Sequence, residues 1–278
     1  IKIKKLGRQD RQSCGEMGEQ RAMTFVIAEA GVNHDGHMVK AYKLINEAKK
    51  AGADAVKFQL FNSHYLWGDD RITQYELSQT QIKQLKDYCD EVGIEFMCTP
   101  FDVEAVKFLT PLVKRHKIGS GCRKADILVA VSETGLPVIM SMGMSDREEM
   151  WRCGSTFSRT DLTILHCVSS YPCSPENVNF NIMKSIPWKR PCKYGFSDHT
   201  TGILASPVAV GMGAVVIEKH LTLDRGSEGP DHTSSIEPPQ FKQMVENIRE
   251  VEVMLGSGEK KILPCEKELR ELWYAGKG

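Results

Sequence analysis

Two stretches concentrate side chains able to do chemistry: Gly195-Phe-Ser-Asp-His-Thr200 and Glu218-Lys-His-Leu-Thr-Leu-Asp-Arg-Gly-Ser-Glu-Gly-Pro-Asp-His-Thr233. Together they hold three histidines, three aspartates, two glutamates, a lysine and an arginine. In each, the polar cluster begins where an apolar, strand-like run ends. Neutral imidazoles at adjacent strand ends can share one divalent ion, and Mn, Fe, Co or Zn suits such ligands. Carboxylates beside them can carry protons. The candidates for this chemistry are His199, His220, Glu29 and Asp231. A hydrogen-bonded histidine pair holding no metal is the alternative that residue types leave open.

A second class is cationic and hydroxylic: Lys57, Lys117, Thr99, Ser120, Ser141 and Ser197. With backbone amides near Gly119 and Gly143, these groups suit phosphate or carboxylate oxygens. For any one hydroxyl, capping a helix N-terminus is the competing role. The lysines are different. An unpaired ammonium buried in an apolar strand is costly, so Lys57, between Val56 and Phe58, requires an anion. His34, His166 and His232 are expected to support neighbours by hydrogen bonding, whereas His37, His64 and His116 read as surface or loop residues. Gly211-Met-Gly213 precedes a strand instead of following one, which is the wrong order for a dinucleotide loop.

The elements that must position these groups alternate along the chain. Predicted strands are Phe25–Ala28, Ala55–Gln59, Ile94–Cys98, Lys114–Ile118, Pro137–Ser141, Leu162–His166, Lys193–Ser197 and Ala214–Lys219. Amphipathic stretches between and after them predict helices over Val39–Lys50, Gln79–Val92, Val103–Leu109, Lys124–Glu133, Asp146–Cys153, Pro175–Ile186, Ile203–Gly211 and Pro239–Leu255. Eight strands alternating with eight helices predict an α/β fold of (β/α)8 TIM-barrel type, whose chemistry sits at the carboxyl ends of the strands. A doubly wound open sheet fits the same periodicity. Every predicted strand gives way to polar, functional residue types. Residues 1–23 fall outside the repeat and are expected to form an N-terminal hairpin extension, from Ile1–Lys5 and Met17–Met23. Residues 24–258 make the barrel, and 259–278 a linker segment or last short helix.

Thirty-six basic and 36 acidic residues balance to zero among 278, so neither nucleic acid nor a membrane surface is an expected partner. An anionic small molecule would be met by a few placed cations. Nine cysteines with no C-x-x-C pair read as reduced thiols of a cytoplasmic enzyme.

Taken in order, nine motifs resemble the sialic acid synthase family, the phosphoenolpyruvate-dependent nonulosonate synthases. They are Ile27-Ala-Glu-Ala-Gly-Val-Asn-His-Asp-Gly36, Lys57-Phe-Gln59, Thr99-Pro-Phe101, Lys117-Ile-Gly-Ser-Gly121, Ser141-Met-Gly-Met144, Tyr171-Pro172, Gly195-Phe-Ser-Asp-His-Thr200, Glu218-Lys-His220 and Gly229-Pro-Asp-His232. The resemblance implies a TIM barrel that condenses phosphoenolpyruvate with the open-chain aldehyde of an N-acetylated amino sugar. N-acetylmannosamine, its 6-phosphate and diacetamido hexoses are the implied sugars. It further implies that His199 and His220 hold Mn2+, with Mg2+ or Co2+ as alternatives. Lys57, Thr99, Lys117, Ser120, Ser141 and Ser197 would grip phosphoenolpyruvate. Glu29, Gln59, Tyr171 and Asp231 would position the sugar, and Glu29 joins the two histidines as catalytic. A homodimer is also expected. Three features are read as departures from the family: a C-terminal antifreeze-like domain is expected to be absent, Gly121-Cys-Arg-Lys124 stands where a glutamate is expected soon after Ser120, and Ser169 stands where an asparagine often precedes the tyrosine. A shorter 3-deoxy-keto acid synthase, such as one making KDO-8-phosphate, and a non-catalytic phosphosugar-binding barrel are the competing readings.

Overall fold

The computed structural model describes residues 23–63, 72–185 and 192–274. The expected N-terminal hairpin (but for Met23), His64 and Ile186 lie outside these residues. Eight strands occur: β1 Phe25–Gly31, β2 Ala55–Leu60, β3 Glu95–Pro100, β4 His116–Ile118, β5 Val138–Ser141, β6 Leu162–Cys167, β7 Lys193–Asp198 and β8 Val216–His220. Parallel ladders join them in the order β3-β2-β1-β8-β7-β6-β5-β4. β3 and β4 lie side by side without a ladder. A forked ion pair bridges that seam, with Arg115 Nε 2.8 Å from Glu95 Oε1 and Nη2 3.2 Å from Glu95 Oε2. The result is the expected (β/α)8 barrel, nearly closed.

Helices fill the crossovers: α1 Met38–Lys50, α2 Gln79–Val92, α3 Val103–Leu109, α4 Ala125–Glu133, α5 Arg147–Ser155, α6 Ile182–Ser185, α7 Ala205–Gly211 and, after β8, α8 Pro238–Leu255. Local chemistry sets their ends. Ser78 and Gln81 form a capping box on α2, Asp146 and Glu149 form another on α5, and Asp102 accepts from the Ala105 amide at the start of α3. The helix predicted over Pro175–Ile186 is not continuous. A 3-10 turn at Pro175–Asn177 and the four-residue α6 replace it. Asn179 between them has φ +48°, a left-handed conformation that stops a right-handed helix. Residues from Leu255 onward belong to a second compact unit, which contains α9 Lys267–Tyr274.

The strand pleat builds the site. Side chains two residues apart face the same way, and Ile27, Ala55, Met97, Ile139, Leu165 and Val216 pack together as an apolar cluster. One inward position further toward the carboxyl end lie Glu29, Lys57, Thr99, Ser141, Cys167 and Glu218. Gly195 belongs to the apolar level. A Cβ there would meet Val216 O at 2.3 Å and Leu165 Cδ2 at 2.5 Å, so only glycine lets its neighbours close in.

Residues of opposite parity serve the scaffold. Asp198 and Lys219, both fully buried, lie 3.1 Å apart. Asp198 also accepts from the Thr200 amide at 2.8 Å and from the hydroxyls of Thr200 at 2.7 Å and Ser206 at 2.8 Å. The end of β7 is thereby tied to β8 and α7. Replacing Asp198 by Ala leaves a buried ammonium unpaired and is expected to cost about 3–5 kcal/mol. Urea denaturation measures this; a loss below about 1 kcal/mol would mean that Lys219 finds another partner or water.

Candidate active site

The lysines inside the strands find their anions within the barrel. Lys57 Nζ lies 3.0 Å from Glu29 Oε2 and 3.3 Å from Glu218 Oε2, and donates to Thr99 Oγ1 at 3.0 Å. Lys117 Nζ lies 3.3 Å from Glu218 Oε1. Ser197 Oγ donates to that same oxygen at 2.9 Å, and Gln59 Nε2 donates to Glu29 Oε1 at 2.9 Å. Strand register brings these groups level: Glu29 is opposite Lys57 on one side and His220 on the other, and Ser197 is opposite Glu218.

Burial and charge then divide the two carboxylates. Burial works against ionisation of Glu218, but Lys117 and Lys57 outweigh it and hold Glu218 well below the usual carboxylate range. Glu29 has only Lys57 as a close cation. Burial, opposed by Lys57 and reinforced by Glu218, pushes it up to about 7. One carboxylate stays charged as a structural counter-ion, and the other is poised to exchange protons near neutrality. Burial would also lower Lys57, yet Glu218 and Glu29 raise it. For Lys117, burial prevails and the ammonium is pulled down.

None of the four strand-end and loop hydroxyls caps a helix. Thr99 and Ser197 join the charge network, Ser120 Oγ accepts from the Gly143 amide at 3.0 Å, and the buried Ser141 hydroxyl has no protein partner.

Across the same opening, the His199 and His220 rings lie 5.4 Å apart between centroids. The Tyr171 ring packs on His199 at 4.1 Å and meets His220 edge-on at 5.8 Å. His199 Nδ1 lies 2.7 Å from the Val168 carbonyl. A carbonyl only accepts, so Nδ1 carries a proton, and in the neutral imidazole Nε2 keeps its lone pair. His220 Nδ1 is buried without a hydrogen-bond partner, 3.4 Å from Asp231 Oδ2. Burial, with His199 adding to it, holds His220 well below the ordinary imidazole range, so its imidazole is neutral at physiological pH. Among the described residues no cluster of three or more His, Cys, Asp or Glu side chains forms a metal cage. The residues fit a two-imidazole site completed by oxygen donors from outside the protein.

Glu29, Gln59 and Asp231 converge around Gly31. With φ +49°, Gly31 sits where a Cβ would meet Asp231 Oδ2 at 3.1 Å, Glu29 Oε1 at 3.2 Å and Gln59 Nε2 at 3.3 Å. All twelve residues singled out in the sequence line one cavity of about 400 Å³ at the carboxyl ends of the strands. Phe61, Tyr75 and Phe101 add aromatic walls that no spacing rule singled out. Sequence reasoning also missed Glu218 as the hub. Its signal was available: two strand lysines demanded an anion, and residue 218 shares the inward parity of His220.

The other histidines sort clearly. His232 bridges Thr222 Oγ1 at 2.7 Å and Asp35 Oδ1 at 2.9 Å, and His166 meets the Val178 carbonyl at 2.6 Å. His34 Nδ1 accepts from the Gly36 amide at 3.0 Å. These are supporting roles. His37 is exposed. His116 is a correction: it is fully buried in β4, near Thr110 Oγ1, and burial pushes it down to about 4.

Residues 44–260 match the NeuB family. An N,N'-diacetyllegionaminic acid synthase of Legionella pneumophila is 42% identical, over 88% of this chain and 76% of that protein. The chain belongs to the NeuB family. The human N-acetylneuraminate-9-phosphate synthase is 35% identical, over 89% of the chain and 75% of that protein. Among solved structures, the N-acetylneuraminic acid synthetase of Leptospira borgpetersenii, in complex with citrate, superposes with a TM-score of 0.86 at 33% identity, covering 92% of each chain. Among the described residues no helix is long and apolar enough to cross a membrane.

Lys57 is bound into this NeuB barrel by two carboxylates, so its loss should be felt in folding as well as in binding. Lys57→Met is expected to lose about 3–5 kcal/mol of stability at pH 8. Because the deficit is unpaired negative charge, it should shrink as acid protonates Glu29, whose affinity lies near 7. Denaturant titrations at pH 8 and pH 5 test this; an equal loss at both would assign the effect to packing.

Proposed function

We propose that this NeuB-family chain condenses phosphoenolpyruvate with the open-chain aldehyde of an N-acetylated amino sugar, giving a nonulosonate and phosphate. The observation that carries the reading is that one cavity gathers two chemically distinct sets of groups. Lys57, Lys117, Thr99, Ser120, Ser141 and Ser197 gather cations and hydroxyls suited to a phosphate and a carboxylate. Glu29, Gln59, Asp231 and Tyr171 gather acceptors and a ring suited to a polyhydroxylated, amidated chain. The relatives named as legionaminic acid and N-acetylneuraminate-9-phosphate synthases support a sugar of this class.

The chain's own groups account for most of the chemistry. The two lysines offset the charge of phosphoenolpyruvate and, with Ser197 and Ser141, fix its orientation toward the sugar. C3 of phosphoenolpyruvate attacks the aldehyde carbon, water adds at C2, and phosphate leaves with C–O cleavage. Glu29, with an affinity near neutrality, takes the proton from that water, and the alkoxide left at the former aldehyde oxygen takes up a proton to become the new hydroxyl, so the count closes. Asp231 and Gln59 hold the sugar hydroxyls and amide. A divalent ion, Mn2+ by the family resemblance, would be held by His199 and His220 and would supply Lewis-acid polarisation of the aldehyde.

Incubation of the protein with phosphoenolpyruvate, Mn2+ and a panel of N-acetylated amino sugars tests the reading. Phosphate release that depends on one sugar, with a product mass equal to a nonulosonate, is the expected result. Tight phosphoenolpyruvate binding with no phosphate release for any sugar would reject the synthase. Turnover should rise as pH increases through about 7, where Glu29 becomes the free base, and Glu29→Gln should abolish that rise and lower kcat by roughly 10²–10⁴. His220→Ala should lose Mn2+ binding in calorimetry while keeping the wild-type circular dichroism; retained metal binding and activity would remove His220 from the site.

A further inference from the structure

Arg123 lies in the β4–α4 loop, in the segment where the family resemblance leads one to expect a glutamate. Its guanidinium does not line the catalytic cavity. It lines a separate hollow on the outer side of the loop, with Lys124, Glu149 and Arg152. From there Nε donates to Ser120 O at 3.0 Å, and Nη2 donates to Gly143 O at 2.7 Å and Met144 O at 3.4 Å. The remaining link between the two loops is the Gly143 amide on Ser120 Oγ, at 3.0 Å. Beyond the β4–β5 ladder, these are the hydrogen bonds joining the two loops among the described residues.

The consequences are local and directional. A trans peptide points its C=O and N–H to opposite sides. With Gly143 O turned outward to Arg123, the Met144 N–H turns away from it, toward the cavity that Met144 and Ser120 both line. Met144 has φ +54°, a conformation that L side chains resist and that needs holding. The Ser120 hydroxyl has its acceptor side filled by the Gly143 amide. Its proton meets only the Cys167 sulfur, at 3.7 Å, so it can be donated to an anion in a polarised chain. Gly143 itself admits no side chain, since a Cβ would meet Ser169 Oγ at 2.3 Å and Ser120 Oγ at 2.9 Å. Among the described residues no carboxylate pairs with Arg123, so its charge is not neutralised.

We propose that Arg123 is a positioning residue for phosphoenolpyruvate. Its fork locks the β5–α5 loop onto the β4–α4 loop and so presents the Ser120 hydroxyl and the Met144 amide as an anion cradle. The assignment rests on the proposed function of the cavity. Only a planar fork spans both carbonyl groups; a lysine brings the same charge to a single point.

The test is calorimetric titration of phosphoenolpyruvate into the full chain, wild type, Arg123→Ala and Arg123→Lys, together with KM for each substrate. In Arg123→Ala the Kd and KM for phosphoenolpyruvate should rise roughly 10- to 100-fold while KM for the amino sugar stays within about twofold. Arg123→Lys should recover only part of that loss. Unchanged phosphoenolpyruvate affinity in Arg123→Ala, or an equal rise in both KM values, would overturn the assignment. Should the alanine variant fail to fold, Arg123→Lys decides, and wild-type affinity in it would overturn the fork. A wild-type chain that does not bind phosphoenolpyruvate would instead overturn the reading of the cavity, and this inference with it.

Discussion

Everything at the mouth of this barrel depends on the ionised Glu218 and the two ammonium groups that share it. Lys57 and Lys117 are buried in strands, largely shielded from bulk solvent, and Glu218 is the anion that makes both tolerable. Glu29 is the second, weaker partner of Lys57. A buried charge with fixed partners is held in place by the cost of leaving it unpaired. The site is thus pre-arranged without substrate, and every group around it is oriented by the need to satisfy that network.

The same arrangement explains how an anionic ligand would enter. Lysine donors already occupied by carboxylates are not vacant. A phosphate or carboxylate group gains them by exchange, replacing one set of oxygens with another. The hydroxyls of Ser141 and Ser120 have protons not committed to good acceptors, so they are free from the outset. Binding on this view combines an exchange of ion pairs with new hydrogen bonds. The energy gained is smaller than a list of contacts suggests, and discrimination rests on geometry.

Much of this was legible in the chain. Strand–helix alternation pointed to the barrel, because eight apolar runs bounded by caps and glycines alternate with eight helices, although a doubly wound open sheet fits the same periodicity. Residue type at and just beyond strand ends pointed to ten groups that line the cavity, and the family resemblance added Gln59 and Tyr171. What escaped was pairing across the barrel. Glu218 could be named as polar, but its role as hub depends on which strands face each other, a non-local fact. His116 was misjudged because one polar residue beside Lys114 and Arg115 looks exposed, whereas parity in β4 turns it into the helical layer. The broken helix after β6 escaped because Asn179 carries no obligatory break signal as glycine or proline would.

Consecutive residues on β7 and β8 divide their labour by pleat: Ser197 and Glu218 face the cavity, while Asp198 and Lys219 lock the strand ends into the helical layer. A slip of one residue in either strand would exchange the two sets, turning anchors into the active site and reactive groups into the scaffold. Insertions or deletions inside these strands are therefore closed to this fold. The loops beyond His199 and His220 are not so bound, and they can change in length without moving the strand ends that carry the charge network.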